Sequence, residues 1–152
     1  VTRYRFRATG KESQERRQTP EGGAAVRKPV ILIVDDEERV LMVLQQALLR
    51  LDDGFRVLTA GTARDALRTV GDEACDLVIT DLIMPDTDGV ELTEQILASG
   101  GDPTVVWMTA YGCQSFKADA ERLGIYRCVQ KSLEIAEVRE LAREALAQRT
   151  LR

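Results

Sequence analysis

The chain has 152 residues and a formal net charge of −4, and 44% of its residues are hydrophobic. That length is enough for one domain with a full core, and that apolar fraction is ordinary for a globular protein. The sequence has no apolar run near the roughly 20 residues that a membrane-spanning helix needs, so we expect no membrane contact. It also has no histidine, which excludes histidine ligands, histidine acid–base catalysis and a phosphohistidine on this chain.

Charge is divided unevenly along the chain. Residues 1–28 contain eight Lys or Arg against three Glu, whereas residues 29–152 contain thirteen against twenty-two acids. The first segment is poor in large apolar residues, so burial cannot offset its ordering entropy. We therefore expect a disordered basic N-terminal extension over residues 1–28 and a folded domain over residues 29–152. An acidic domain does not suit contact with nucleic acid phosphates, so we expect no direct nucleic acid partner.

The three cysteines, Cys75, Cys113 and Cys128, are odd in number and show no close spacing. This pattern fits neither a disulfide framework nor a zinc site, and it indicates a reducing cytosol. The Arg-rich start lacks the apolar segment of a secretory signal. We therefore expect a cytoplasmic protein without a disulfide framework.

From residue 30 onward, short apolar runs alternate with segments of helical periodicity. The predicted strands are residues 30–34, 55–59, 76–80, 104–108 and 126–129, and the predicted helices are residues 37–50, 62–70, 88–98, 113–122 and 134–149. In the first helix, one buried face is predicted to contain Val40, Val43, Leu44, Ala47, Leu48 and Leu51. Five strand–helix repeats predict an α/β fold with a doubly wound parallel sheet of five strands in the order 2-1-3-4-5.

Acidic residues follow two of the predicted strands at their carboxyl ends. The apolar run over residues 31–34 ends on Asp35 and Asp36, and the run over residues 77–80 ends on Asp81. Such runs are typical of buried parallel strands, and ligands bind outside the carboxyl ends of these sheets. The sequence therefore predicts an acidic pocket that binds a hard cation such as Mg²⁺ through carboxylate oxygens.

Two more polar residues belong to the same predicted edge of the sheet. Thr109 ends the fourth strand and Lys131 ends the fifth, and strands 1, 3, 4 and 5 are neighbours in the predicted order. A lysine beside crowded acids and a cation stabilises arriving negative charge, such as a phosphoryl group. An Asp carboxylate can itself be the nucleophile and form an aspartyl phosphate.

Each of these residues alone has a simpler interpretation. Asp36 fits the positive end of a helix dipole, Asp81 fits a turn, Thr109 fits a strand end, and Lys131 fits an ordinary surface position. Their joint occurrence at successive strand ends favours a site.

The segment from about Val30 to Arg149 resembles the receiver domain of bacterial two-component response regulators, of the chemotaxis-receiver type. The motifs that carry the resemblance are Asp35-Asp36, Asp81-Leu82-Ile83-Met84-Pro85-Asp86-Thr87-Asp88-Gly89, Trp107-Met108-Thr109-Ala110-Tyr111-Gly112 and Lys131. The resemblance implies a flavodoxin-like (βα)5 receiver fold with Asp81 as phosphoacceptor. It also implies Mg²⁺ held by Asp36, Asp81 and the backbone carbonyl of Ile83, with Asp35 acting mainly through water. Thr109 and Lys131 are then expected to contact the phosphoryl oxygens.

The same resemblance implies partners. The phosphodonor is expected to be a histidine kinase or a histidine phosphotransfer protein. A downstream protein is expected to dock on the face made by the fourth helix, fifth strand and fifth helix, and a homodimer formed on phosphorylation is a further expectation.

Because the sequence stops soon after the fifth predicted helix, we expect a stand-alone receiver that signals by docking or phosphorelay. We expect no enzymatic turnover beyond its own phosphotransfer and slow autodephosphorylation.

Two positions depart from the family pattern. Ser132 stands where the family usually has a proline after the lysine, often with a cis bond, which leaves the Lys131–Ser132 peptide bond open. Cys128 stands where the family usually has an aromatic residue that changes rotamer on phosphorylation. Tyr126 is predicted on the same strand face as Cys128. We therefore expect a weakened switch, or one carried by Tyr111 or Tyr126.

Two other protein classes share part of this pattern. A phosphatase of the haloacid dehalogenase type also has an Asp nucleophile after a strand, but its second Asp would fall where this chain has Ile83. A flavodoxin needs a hydroxyl- and glycine-rich loop after the first strand, whereas Asp35-Asp36-Glu37-Glu38 would repel the FMN phosphate. A phosphatase assay and a visible absorption spectrum separate these classes from a receiver.

Overall fold

The computed structural model describes residues 27–50 and 54–151, so most of the predicted N-terminal extension, residues 1–26, lies outside the described residues. The elements are β1 (Val30–Val34), α1 (Glu38–Leu49), β2 (Arg56–Ala60), α2 (Ala63–Asp72), β3 (Leu77–Asp81), α3 (Gly89–Ala98), β4 (Thr104–Thr109), a short 3₁₀ helix (Cys113–Phe116), α4 (Lys117–Leu123), β5 (Arg127–Gln130) and α5 (Ile135–Thr150). All five predicted strands and four of the predicted helices are confirmed with small shifts of their ends. The fourth predicted helix is divided into the 3₁₀ turn and α4.

The five strands form one parallel sheet in the order β2-β1-β3-β4-β5, as predicted. Every residue of β1, β3 and β4 is buried. This agrees with unbroken apolar runs covered by helices on both faces. Because the strands are parallel, their carboxyl ends meet at one edge, where Val34 pairs with Thr80 and Thr109 pairs with Gln130.

Two apolar clusters fill the two faces of the sheet. One contains Trp107 and Leu92 and is covered by α2, α3 and α4. The other contains Leu48 and Leu141 and is covered by α1 and α5. The sheet is therefore doubly wound, and its buried central strands position the residues at its carboxyl edge.

The buried face of α1 is narrower than the sequence predicted. Leu44, Ala47 and Leu48 are buried, and Val40 packs against them. Val43 is 52% exposed, so its assignment to this face is wrong, while Leu51 lies outside the described residues. Val43 follows Val40 by three positions, which places it at the margin of a face centred on Leu44 and Leu48.

The predicted placement of Tyr126 is also wrong. Cys128 packs with the Trp107 cluster, whereas Tyr126 packs with Val129 in the cluster on the opposite face. The reason is that β5 begins at Arg127, so the side-chain alternation of the strand does not extend back to Tyr126.

The cysteines were expected not to form a disulfide framework, but Cys113 and Cys128 are disulfide-bonded. Their Cα atoms are 5.9 Å apart although 15 residues separate them in sequence. β5 lies beside β4, and the 3₁₀ turn begins just beyond the end of β4. The fold therefore brings together two cysteines whose spacing in the sequence gave no indication of a disulfide.

Within the described ranges, no helix has the length and apolar character needed to cross a membrane.

Candidate functional site

Asp35 and Asp36 lie in the turn between β1 and α1. Asp35 is fully buried, and its Oδ1 accepts a hydrogen bond from the backbone N–H of Glu37 at 2.9 Å. Asp36 is exposed, at the open side of the same turn. The two adjacent acids therefore differ in environment, one held within the protein and one facing solvent.

Asp81 is the last residue of β3 and is 2% exposed. Its Oδ1 accepts a hydrogen bond from the backbone N–H of Ile83 at 3.1 Å, and its Oδ2 accepts one from Lys131 at 2.8 Å. These two bonds hold both carboxylate oxygens in place at the edge of the sheet.

Lys131, just after β5, connects the acids of two strands. Its Nζ lies 2.8 Å from Asp81 Oδ2, 2.9 Å from Asp35 Oδ2 and 3.6 Å from Glu37 Oε1. Partial burial opposes the charged ammonium, but the hydrogen bond to Asp81 and the negative charges of Asp81 and Asp35 outweigh it and raise the pKa of Lys131 above its usual range. The ammonium is therefore charged at every physiological pH.

Burial dominates the behaviour of Asp35. It raises the pKa of this carboxyl above its usual value, although the Glu37 N–H and the Lys131 ammonium act in the opposite direction. Asp35 Oδ2 is an ion-pair partner of Lys131, but within the described part of the chain it receives no well-aligned hydrogen bond. A buried carboxylate oxygen in this state has a lone pair available for a further cationic partner.

The three predicted acids lie close enough to share a metal ion. One carboxylate oxygen from each of Asp35, Asp36 and Asp81 lies within 4.8 Å of the others. All are hard oxygen donors, which Mg²⁺ prefers. Asp35 also has a buried oxygen, Oδ2, that receives no hydrogen bond within the described part of the chain. The residues present therefore fit a divalent cation.

The loop after Asp81 is held in a fixed shape by backbone contacts. Ile83 forms an antiparallel bridge with Asp88, and the N–H of Gly89 donates to the carbonyl of Leu82 at 2.8 Å. A Cβ on Gly89 would lie only 2.5 Å from both the Asp81 carbonyl oxygen and the Leu82 Cα. Gly89 is thus required by the close approach of α3 to this loop, which fixes the backbone around Ile83.

A cleft of about 300 Å³ opens over these residues. Its lining residues are Asp36, Glu37, Asp81, Ile83, Met84, Pro85, Ala110, Tyr111 and Lys131. Thr109 lies behind this wall, fully buried, and its Oγ1 accepts a hydrogen bond from the backbone N–H of Tyr111 at 3.0 Å. The backbone of Thr109 is joined to the site, because its carbonyl accepts a hydrogen bond from the N–H of Lys131 at 2.9 Å.

The structure brings the predicted residues Asp35, Asp36, Asp81 and Lys131 together, with Ile83 on the cleft wall and Thr109 just beneath it. Glu37 and Met84 also line the cleft, although no role was predicted for them from the sequence. The signal for Glu37 was its place in the run of four acids after β1. Among the described residues there is no cis peptide bond, so the bond between Lys131 and Ser132 is trans.

Comparison with known proteins identifies this arrangement. The family model for the response regulator receiver domain matches residues 31–143. The chain belongs to the response regulator receiver domain family. This membership decides against the phosphatase and flavodoxin alternatives and confirms a two-component signalling domain.

Two curated relatives illustrate the range of proteins that contain such a receiver. The DNA-binding transcriptional regulator NtrC of Azospirillum brasilense is 33% identical over 108 residues, which are 71% of this chain and 22% of that protein. Sporulation initiation phosphotransferase F of Bacillus subtilis is 29% identical over 94 residues, which are 62% of this chain and 76% of that protein. The chain therefore spans less than a quarter of one relative and about three quarters of the other.

Two solved receivers have the same fold. A CheY-like receiver domain protein from Methanospirillum hungatei has a TM-score of 0.75 at 25% identity, covering 82% of this chain and 98% of that one. The receiver domain of an HD domain-containing protein from Pseudomonas fluorescens has a TM-score of 0.73 at 31% identity, covering 82% and 90%.

Proposed function

We propose that this receiver accepts one phosphoryl group on Asp81, in a Mg²⁺-dependent reaction, from a histidine kinase or a histidine phosphotransfer protein. The observation that carries the proposal is the position of the Lys131 ammonium, within 2.9 Å of a buried carboxylate oxygen on both Asp81 and Asp35. One cation held between two strand-end acids suits the stabilisation of added negative charge.

The chemistry follows from these groups. A carboxylate oxygen of Asp81 attacks the phosphorus of a phosphohistidine, so an acyl phosphate forms and the P–N bond to the imidazole breaks. Lys131 remains charged and stabilises the phosphoryl oxygens, while the Ile83 N–H keeps the Asp81 carboxylate oriented. Asp36, Asp81 and the backbone carbonyl of Ile83 would hold Mg²⁺, with Asp35 supporting it through water. When bound, the ion neutralises the crowded acids and the charge on the phosphoryl group.

Thr109 is proposed to contact the phosphoryl group after a local change. Its hydroxyl oxygen now accepts the Tyr111 N–H. A phosphoryl oxygen in the cleft is an acceptor for the Thr109 hydroxyl proton, so the side chain is expected to turn toward it and draw the loop at residues 110–112 inward.

The donor histidine must come from a partner, because this sequence contains none. The name of sporulation initiation phosphotransferase F supports onward relay of the phosphoryl group as one form of output. Docking of a downstream protein on the face formed by α4, β5 and α5 is the other form. A homodimer formed on phosphorylation, the cytoplasmic location and the stand-alone arrangement stay predictions.

The proposal is tested by incubating the protein with acetyl phosphate and Mg²⁺ and measuring the intact mass. The wild type should gain one phosphoryl group, and Asp81→Asn should gain none. Asp86→Asn is the matched control, because Asp86 lies on the same loop and its contact with the Ala63 N–H can be kept by an amide oxygen. Equal phosphorylation of Asp81→Asn and the control would contradict the proposal.

A further inference from the structure

The Cys113–Cys128 disulfide joins two elements that are weakly buried, the 3₁₀ turn and β5. The 3₁₀ turn and α4 contain no buried residue, and β5 contains only half-buried and exposed residues. By contrast, every residue of the neighbouring strand β4 is buried. Local opening of a protein is concentrated in such weakly buried segments. The disulfide is therefore a covalent restraint on a weakly buried segment beside the buried strand β4.

The disulfide also lies beside the loop and the strand that are expected to move when the proposed site is phosphorylated. Cys113 follows the loop at residues 110–112, which carries the Tyr111 N–H bonded to Thr109. Cys128 is paired with Trp107 on β4 and lies three positions before Lys131. One end of the bond thus anchors the loop that must move to free the Thr109 hydroxyl, and the other end anchors the central part of β5.

Exposure distinguishes this pair from the third cysteine. Cys113 and Cys128 are half-buried, so a small thiol reagent can reach them. Cys75 is 7% exposed, and burial raises the pKa of its thiol, which disfavours the reactive thiolate. Cys75 therefore serves as an internal reference that stays reduced in the folded protein.

We propose that Cys113 and Cys128 form a reversible disulfide that restrains the segment from the 3₁₀ turn to β5 and thereby limits its response to phosphorylation. The second half of this statement rests on the proposed function of Asp81. In the reduced protein, the loop at residues 110–112 and α4 follow Thr109, whereas in the oxidised protein the bond from Cys113 to Cys128 holds the 3₁₀ turn at β5 and limits this movement.

The redox step is an ordinary thiol–disulfide exchange with a low-molecular-weight disulfide such as oxidised glutathione. One cysteine thiolate attacks a sulfur of the glutathione disulfide, forms a mixed disulfide and releases one glutathione thiolate, which takes up a proton. The second cysteine thiolate then attacks the protein sulfur of the mixed disulfide and releases the second glutathione. Two protein thiols are oxidised, one glutathione disulfide is reduced to two thiols, and a dithiol reductant reverses the reaction.

The first experiment counts thiols and measures amide hydrogen exchange without any phosphoryl group or mimic. After equilibration with oxidised glutathione and alkylation in denaturant, the wild type should carry one label, on Cys75, whereas the reduced protein should carry three. Exchange of residues 113–130 should be about tenfold or more faster in the reduced protein, because a closed loop of 15 residues restricts the opened state. Three labels after oxidation, or equal exchange in the two states, would overturn the proposal.

Matched variants separate the pair from other effects of the reagent. Cys75→Ser should keep the full difference between the oxidised and reduced states. Cys113→Ser combined with Cys128→Ser should exchange like the reduced wild type in either buffer. The reduced wild type carries no substitution, so the comparison stands even where the double variant folds poorly. A redox difference that persists in a folded double variant would contradict the assignment to this pair.

The second experiment repeats the exchange measurement with beryllofluoride and Mg²⁺. The reduced protein should show a larger change in the 3₁₀ turn, α4 and β5 than the oxidised protein. An equal, full change in both states would contradict the limiting role of the disulfide. No change in either state would contradict the proposed function of Asp81, and the redox proposal would then be decided by the first experiment alone.

Discussion

Lys131 forms ion pairs with both buried acids of the site. Its ammonium lies between Asp35 and Asp81, two carboxylates with almost no exposure of their own. Without this cation, two buried acids would face each other at the sheet edge. Removal of one partner from a buried ion pair is destabilising because an uncompensated charge remains.

A pH series on Lys131→Met tests this balance. The pKa of Lys131 is raised in the folded state, so its contribution to the free energy of unfolding is complete below the unfolded pKa, near 10.5, and declines as pH rises through the folded pKa. We expect Lys131→Met to be less stable than the wild type by about 1–3 kcal/mol near neutral pH, because the buried Asp81 carboxylate loses its hydrogen-bond donor. Urea denaturation should show this difference shrinking above about pH 10.5. A difference that grows with pH in that range would contradict the ion-pair account.

Ile83 and Tyr111 line the cleft beside Asp81, where we propose that the phosphoryl group is bound. Both line the cleft, with exposed fractions of 49% and 67%, and neither has an acid or amide that could orient a water molecule. We expect slow autodephosphorylation, accelerated roughly tenfold by Ile83→Asn because an amide can position the attacking water. Ile83→Leu is the matched control and should leave the rate unchanged. Loss of the acyl phosphate over time provides the measurement, and rapid loss from the wild type with no effect of Ile83→Asn would be contrary evidence.

At the scale of elements, the start of α3 fixes the loop that follows Asp81. Asp88 caps this helix by accepting the N–H of Val90, and Thr93 and Trp107 join α3 to β4 through a buried hydrogen bond of 2.8 Å. Gly89 allows the helix to approach the Asp81 carbonyl without a side chain between them. The loop conformation is therefore determined by packing of the helix against the end of β3.

Gly89→Ala should destabilise the fold and weaken phosphorylation. The new Cβ would meet backbone atoms of Asp81 and Leu82 at 2.5 Å, and we expect a loss of about 1–3 kcal/mol in the free energy of unfolding. Gly71→Ala is the control, because Gly71 lies within α2 and has open space where the new Cβ would lie. That change should be neutral or stabilising by up to about 1 kcal/mol. Equal stability of the two variants in thermal denaturation would show that the close approach is not required.

The strands, their order and the cluster of acids could be predicted from the sequence. Unbroken apolar runs indicate buried parallel strands, and the carboxyl ends of such strands meet at one edge of the sheet. Three features needed three-dimensional information. The pairing of Cys113 with Cys128 depends on how the 3₁₀ turn follows β4 and meets β5. The face of Tyr126 depends on where β5 begins, and strand boundaries are poorly defined by sequence patterns. The burial of Thr109 behind the cleft wall likewise depends on the loop that follows it.

In the molecule as a whole, the central strands are fully buried and the α4–β5 edge is less buried. The site lies where these two regions meet, since Asp35 and Asp81 come from buried central strands and Lys131 follows the edge strand. A change of charge at Asp81 is therefore positioned to bias the less buried edge, and the Cys113–Cys128 bond acts on that same edge. Signalling requires such an element with more than one accessible arrangement.

Binding of Mg²⁺ should stabilise the folded chain as a whole. A cation that binds only the folded state raises the free energy of unfolding by about 2.7 kcal/mol at a concentration one hundred times its Kd. Thermal denaturation with and without Mg²⁺ should show this rise for the wild type, its loss after chelation, and its loss in Asp36→Ala. Asp72→Ala, an exposed acid at the end of α2, is the control and should keep the wild-type response. An unchanged response of Asp36→Ala would place the metal elsewhere.

Chemical trapping of the acyl phosphate is the decisive test of Asp81 as the phosphoacceptor. The phosphorylated protein is treated with borohydride, which reduces an aspartyl phosphate to homoserine, and the peptides are then sequenced by mass spectrometry. We predict homoserine at position 81 only, dependent on Mg²⁺ and on the phosphodonor. Homoserine at Asp35, Asp36 or another acid, with residue 81 intact in the phosphorylated protein, would contradict the account.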